Sequence, residues 1–182
     1  FINNSSFQSG GAMHLNEVNA TILDCIFSGQ YSTKGGAIDL NNSILVMKNS
    51  EFSNNSSELE GGAILSQHSD LNMSGCTFSS NQNTTNNGGG ALQIVNGTFT
   101  DENGTFLNNL TPSKGGGINA ENATLTFFNT SFQGNQSNLF AIQNVCLRVR
   151  QDSIEKQFDS KTFCFENISG AEMEPKLATN RT

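Results

Sequence analysis

Apolar residues in this chain come in short alternating runs, separated by corners rich in Asn, Ser and Gly. After Gly35-Gly36, the run Ala37-Ile38-Asp39-Leu40 alternates, which sends Ile38 and Leu40 to one side of a strand. Asn41-Asn42 interrupts it as turn residues do. Ile44-Leu45-Val46-Met47 reads as a second strand, Lys48-Asn49 as a corner, and Ser50-Glu51-Phe52 as a third strand. Asn54-Asn55-Ser56-Ser57 then closes the unit before Gly61.

This unit repeats. Glycine pairs begin at Gly10, Gly35, Gly61, Gly89 and Gly115, at intervals of 25, 26, 28 and 26 residues. Phe1, Phe27, Phe52, Phe78, Phe106 and Phe132 keep the same beat, at 26, 25, 26, 28 and 26. A fixed period in this range is the mark of a solenoid. The expected fold is all-β: a single-stranded, right-handed parallel β-helix of about five to six coils with three short strands per coil. The leucine-rich repeat has a similar length, but its Leu-x-x-Leu-x-Leu spacing does not occur.

Stacking the coils assigns residues to columns. Met13, Ile38, Ile64, Leu92 and Ile118 form one inward column, and Leu15, Leu40, Ser66, Ile94 and Ala120 the next. Leu45, Leu71, Phe99 and Leu125 fill the middle strand, and the six phenylalanines stack at about 4.8 Å. The glycine pairs suit corners that need positive φ or close backbone approach. Asn4, Gln30, Asn55, Asn81, Asn109 and Asn135 lie three residues after each Phe. Asp24, Asn49, Gly75, Asn103 and Asn129 lie three before. Asparagine stacked on asparagine forms amide ladders, so these columns read as scaffold.

The grammar stops near residue 137. Residues 1–137 are expected to be the repeats, 138–165 an irregular capping segment, and 166–182 a polar flexible tail. Val145, Leu147 and Val149 alternate with Cys146, Arg148 and Arg150, as in an edge strand with a charged outer face. With no initiator Met and a first residue on a repeat motif, the chain reads as a piece of a larger protein.

Composition narrows the function. The formal net charge is −7 with 14% charged residues, so no basic footprint for nucleic acid exists. No apolar run is long enough to span a membrane as a helix. Sixteen Asn-x-Ser/Thr triplets occur, where chance would give about five, as in a secreted glycoprotein; repetition alone also copies such triplets. Asn55 and Asn129 are ladder members and poor acceptors for a glycan. Cys25 and Cys76 share a column two coils apart, about 9.6 Å, too far for a disulfide, and are expected as buried thiols. Cys146 and Cys164 lie outside the regular coils, and sequence leaves their pairing open.

Catalytic chemistry is hard to assemble. A polysaccharide lyase or hydrolase needs clustered carboxylates on an outward face, with a base or calcium beside them. The outward columns beside the glycine pairs read His14, Asp39, Leu65, Gln93, Asn119 and then Asn16, Asn41, Gln67, Val95, Glu121. Neither stacks two acids on neighbouring coils. Lys34, Lys48 and Lys114 are scattered over corners, and no arginine precedes Arg148. His14 with Asp39, and His68 with Asp70, read as solvent-exposed neighbours. Asp101-Glu102-Asn103-Gly104 reads as an exposed corner, at most a weak site for a hard cation. The chain is therefore expected to be non-catalytic, with no catalytic, cofactor or metal residues and no cofactor.

Gly35 to Ile38, Gly61 to Ile64 and Gly89 to Leu92, together with Phe1 to Asn4, Phe52 to Asn55, Phe78 to Asn81, Phe106 to Asn109 and Phe132 to Asn135, resemble the paired motifs of the chlamydial polymorphic outer membrane protein family. The resemblance covers about residues 1 to 137. Met13, Gly117 in place of Ala, and Phe27-Ser28-Gly29-Gln30 depart from the pattern. It implies a surface-displayed β-helical passenger used in adhesion, outer-membrane located if bacterial, although the family's β-barrel translocator does not occur in this sequence. The expectation is a scaffold or adhesin-like surface, extracellular or on the cell surface. Its partners would be a receptor or glycan on a host or neighbouring cell and the adjoining domains of the parent protein. The alternatives are a pectate-lyase-like lyase or hydrolase, and a carbohydrate-binding β-helix anchored by Tyr31, the sole tyrosine.

Overall fold

The structure is a computed structural model that describes residues 1–85, 87–139, 142–143, 145–150 and 163–165, with side chains described through residue 137. It is a β-solenoid of about five turns in which every strand pair is parallel. Four sheets run its length, numbered here in the order the chain meets them. The first holds Ser5–Ser9, Tyr31–Lys34, Ser56–Glu60, Gln82–Asn83, Leu110–Lys114 and Gln136–Leu139. The second holds Met13–Asn16, Ile38–Asn41, Ile64–Gln67, Leu92–Val95, Ile118–Glu121 and Ile142–Gln143. Asn19–Leu23, Ile44–Lys48, Asp70–Ser74, Thr98–Glu102, Thr124–Phe128, Val145–Arg150 and Phe163–Phe165 make the third. The short strands Ile26–Ser28, Glu51–Ser53, Thr77–Ser79, Thr105–Leu107 and Ser131–Gln133 make the fourth.

Each coil thus carries four strands, not the three expected. The extra one is the first-sheet strand, which reads as a polar turn because its inward column is Ser32, Ser57, Asn83 and Thr111, all buried. Side-chain hydrogen bonds replace apolar contact there. Ser32 Oγ donates to the Lys34 carbonyl at 2.6 Å, Asn83 Nδ2 to Ser57 Oγ at 3.1 Å, and Thr111 Oγ1 to the Gly88 carbonyl at 2.9 Å. A buried hydroxyl or amide costs little once it is paired.

The expected apolar columns hold. Met13, Ile38, Ile64, Leu92 and Ile118 are consecutive register partners, as are Leu45, Leu71, Phe99 and Leu125. The phenylalanine rings lie face to face from Phe1 to Phe132, with centroids 4.6 to 5.0 Å apart and planes within 9°. The strand spacing imposes this stack, because a ring repeated at one register position can only lie over its copy.

The asparagine ladder is continuous beside it. Asn55 N and Nδ2 donate to Asn81 Oδ1 at 3.0 and 2.9 Å, and Asn81 N and Nδ2 to Asn109 Oδ1 at 2.9 and 3.0 Å. Asn109 does the same to Asn135 at 3.0 and 2.8 Å. The remaining amide hydrogen goes to a carbonyl of the preceding coil, from Asn81 to Phe52 O at 2.9 Å. Each buried amide therefore has its donors and its oxygen occupied. The column three before each Phe behaves differently. Asp24, Asn49, Gly75, Asn103 and Asn129 all have positive φ, from 48° to 62°, and the non-glycine members are exposed. Asn129 is a ladder member as expected, its Nδ2 donating to Asn103 Oδ1 at 3.2 Å, but it stands at an exposed corner.

The glycine pairs serve both purposes expected of them. Gly35 has φ 57°, and a Cβ there would lie 2.1 Å from the Ile38 carbonyl oxygen. Gly36 has no unusual φ, but a Cβ on it would lie 2.0 Å from the Gly62 carbonyl of the next coil. Parallel pairing runs on past residue 137 through Gln136–Leu139, Ile142–Gln143 and Val145–Arg150. Cys146 and Leu147 are paired on both sides, so the strand expected at the edge is interior there, and Phe163–Phe165 is the strand at the sheet edge. The tail expected over 166–182 lies outside the described residues.

Candidate interaction surface

The outward residues of the second sheet are the first place to look for chemistry. His14 and Asp39 do meet, with Nδ1 to Oδ2 at 3.0 Å, but as an unequal pair. The His14 side chain is 52% exposed and that of Asp39 8%. Leu65, Gln93 and Asn119 continue the column, and all three are buried. This column was expected to face solvent. The glycine corner explains the difference, because it folds back onto the outer face of the strand that follows. Gln93 Oε1 accepts from the Gly89 N–H at 3.1 Å and from Asn119 Nδ2 at 2.7 Å, which ties corner to column. The outer face is thereby packed, and Asp39 Oδ1 is buried with no hydrogen-bond partner.

His68, Asp70 and Lys34, three more of the sequence candidates, are also engaged by neighbouring coils. His68 Nε2 lies 3.2 Å from Asn96 Nδ2, and Asp70 Oδ1 accepts from Thr98 Oγ1 at 2.6 Å, so His68 and Asp70 look to the next coil. Lys34 Nζ lies 3.5 Å from Glu60 Oε2. Cys25 and Cys76 are free thiols as expected. Cys76 is buried, which pushes its thiol pKa up, whereas Cys25 is only partly buried because its coil lies at the edge of the stack.

Asp101 overturns its reading as a residue of an exposed corner. Phe99 and Asp101 are the inward residues of their strand, and Asp101 is fully buried between Met73 and Phe127 in the register. Thr130 Oγ1 donates to its Oδ2 at 2.6 Å, and the Gly104 N–H also bonds the carboxylate. Burial nevertheless dominates and raises its pKa from 3.8 to about 6. It is closed to a solvent cation. Among the described residues, no three His, Cys, Asp or Glu side chains are grouped as metal ligands.

Exposed large apolar side chains are spread over the solenoid: Phe1, Ile2, Val18, Leu23, Ile26 and Ile44 lie on or beside the third and fourth sheets, and four more lie on the first sheet. Phe7 is 97% exposed, and Tyr31 is 39% exposed on the adjacent strand, where Ser5 pairs with Tyr31. Leu59 and Leu110 are exposed on further strands of the same sheet. The Tyr31 hydroxyl donates to Glu58 Oε1, and this bond to a carboxylate, above all, pushes the phenol pKa up. Register shifts after Ser6, Ser32 and Thr111 bend these strands, and such bends re-aim side chains. Sequence reasoning passed over Phe7 because every Phe in the beat points inward. The strand holding it, Ser5–Ser9, also lacks an apolar alternation.

No curated protein and no solved structure matches the chain. Residues 49–67 match the model of the Chlamydia polymorphic membrane protein (Chlamydia_PMP) repeat. That span contains one copy of each motif, Phe52 to Asn55 and Gly61 to Ile64. Over those residues the chain carries a repeat similar to that of the Chlamydia polymorphic membrane proteins, set in a β-solenoid.

Proposed function

We propose that this chain is a non-catalytic, surface-displayed β-helical segment of a larger protein, making an adhesin-like contact with a receptor or glycan on another cell. The match to the Chlamydia polymorphic membrane protein repeat supports a surface location at the level of the family. The observation that carries the contact is that the first sheet alone exposes four large apolar side chains, Phe7, Tyr31, Leu59 and Leu110, with Phe7 97% exposed on the strand adjacent to that of Tyr31. Exposed apolar side chains gathered on one face mark an interaction site more often than isolated ones do. Of the charged candidates, His14 meets Asp39, Lys34 meets Glu60, and His68 and Asp70 engage Asn96 and Thr98 of the next coil.

Binding of the purified chain to intact cells is the test. Replacing Phe7, Tyr31 and Leu110 together with Ser is expected to reduce binding at least tenfold without changing the circular dichroism spectrum. Undiminished binding by the triple variant would remove the first sheet from the account. Release of products from pectins or related glycans would replace it with the enzymatic reading.

A further inference from the structure

Cys146 and Cys164 are register partners. Val145 pairs with Phe163, Cys146 with Cys164, and Leu147 with Phe165, at the end of the third sheet. Neighbouring parallel strands lie about 4.8 Å apart, inside the roughly 4.4 to 6.8 Å between Cα atoms that a disulfide spans. The other two cysteines supply an internal contrast. Cys25 and Cys76 share a column with Ser50 between them, so their separation is about two strand spacings, and both are free thiols. The fold thus places one cysteine pair within reach and holds the other apart.

We propose that Cys146 and Cys164 form a disulfide that fastens Phe163–Phe165 to Val145–Arg150 and closes the chain segment between them. The bond has a physical use at this position. Phe163–Phe165 is the edge strand of a seven-stranded sheet and only three residues long, so few backbone hydrogen bonds hold it. A covalent closure removes chain entropy from the state in which this strand is detached. The chemistry is ordinary thiol–disulfide exchange. The thiolate of one cysteine attacks a small-molecule disulfide such as oxidised glutathione and releases one glutathione thiol. The second cysteine's thiolate then attacks the mixed disulfide and releases the other. Two protein thiols are oxidised, and one glutathione disulfide is reduced to two thiols.

The inference comes from strand register and does not rest on the adhesin reading, so its test uses no cell binding. The whole chain is refolded in a mixture of reduced and oxidised glutathione, alkylated without denaturant, digested without reduction and read by mass spectrometry. The expected result is a peptide linking Cys146 to Cys164, lost on prior reduction, with Cys25 and Cys76 recovered as thiols. In Cys164→Ser the linked peptide disappears and Cys146 becomes alkylated. Recovery of Cys146 and Cys164 as thiols from the unmutated chain, or their linkage to any other partner, would overturn the proposal whatever the serine variant does.

Discussion

Replacing Asp101 with Asn should stabilise the solenoid at neutral pH and leave it unchanged in mild acid. Asp101 is a carboxyl where the column otherwise carries Met47, Met73 and Phe127. Its pKa stands at about 6 in the folded chain against 3.8 ordinarily. Because the folded value is the higher one, the folded state holds its proton more tightly. The resulting stability is complete below pH 3.8 and is lost as pH rises through about 6. At about 1.4 kcal/mol per pH unit between those values, the loss approaches 3 kcal/mol by neutral pH. Asn keeps an oxygen for the Thr130 hydroxyl but carries no charge, so the variant should be more stable than the parent by about 1 to 3 kcal/mol at pH 7.5. At pH 4.5 the two should agree within about 1 kcal/mol. Urea unfolding followed by far-ultraviolet circular dichroism at both pH values measures the difference, and other carboxylates cancel in the comparison. A variant less stable than the parent by the same amount at both values would refute the reasoning.

Three further substitutions probe the scaffold. Asn81→Leu strips the acceptor from Asn55 N and Nδ2 and the donor from the Phe52 carbonyl, so the urea midpoint should fall by the equivalent of about 3 kcal/mol. Gly36→Ala places a Cβ 2.0 Å from the Gly62 carbonyl oxygen, a clash with backbone that should cost about 3 kcal/mol or more and lower the thermal midpoint. Ser66→Ala removes a buried hydroxyl with no partner from a column otherwise made of Leu15, Leu40, Ile94 and Ala120, and should raise the urea midpoint by about 1 kcal/mol equivalent.

The inward columns were legible because their residues are apolar and return on one beat. Ile38, Ile64 and Leu92 each stand three residues after the first glycine of a pair, which aligns them by sequence alone, and they are register partners. The first-sheet strand was not, since its inward Ser32, Ser57, Asn83 and Thr111 are polar and a strand is read from apolar alternation. Asp101 escaped for a related reason. Counting from Met47 by 26 and then 28 residues places it inward, but its charge suggests a surface corner. The burial of Asp39 depends on how a glycine corner folds over the next strand, a three-dimensional relation that strand periodicity does not encode. Phe7 was obscured by the success of the phenylalanine rule itself. Sequence thus conveyed the scaffold through its regularities, while the surface depends on the residues that break them.

The central claim is that each period of 25 to 28 residues returns the chain to the same face one strand spacing further on. Thr21, Val46, Asn72, Thr100 and Thr126 are consecutive register partners on the outside of the third sheet. Spin labels at Thr21 and Thr126, in a chain whose four cysteines are replaced by Ser, are separated by four coil steps, or about 19 Å. Electron spin resonance distance measurement should return a narrow distribution near that value. A broad distribution, or one centred beyond about 30 Å, would contradict the stacked register on which the account depends.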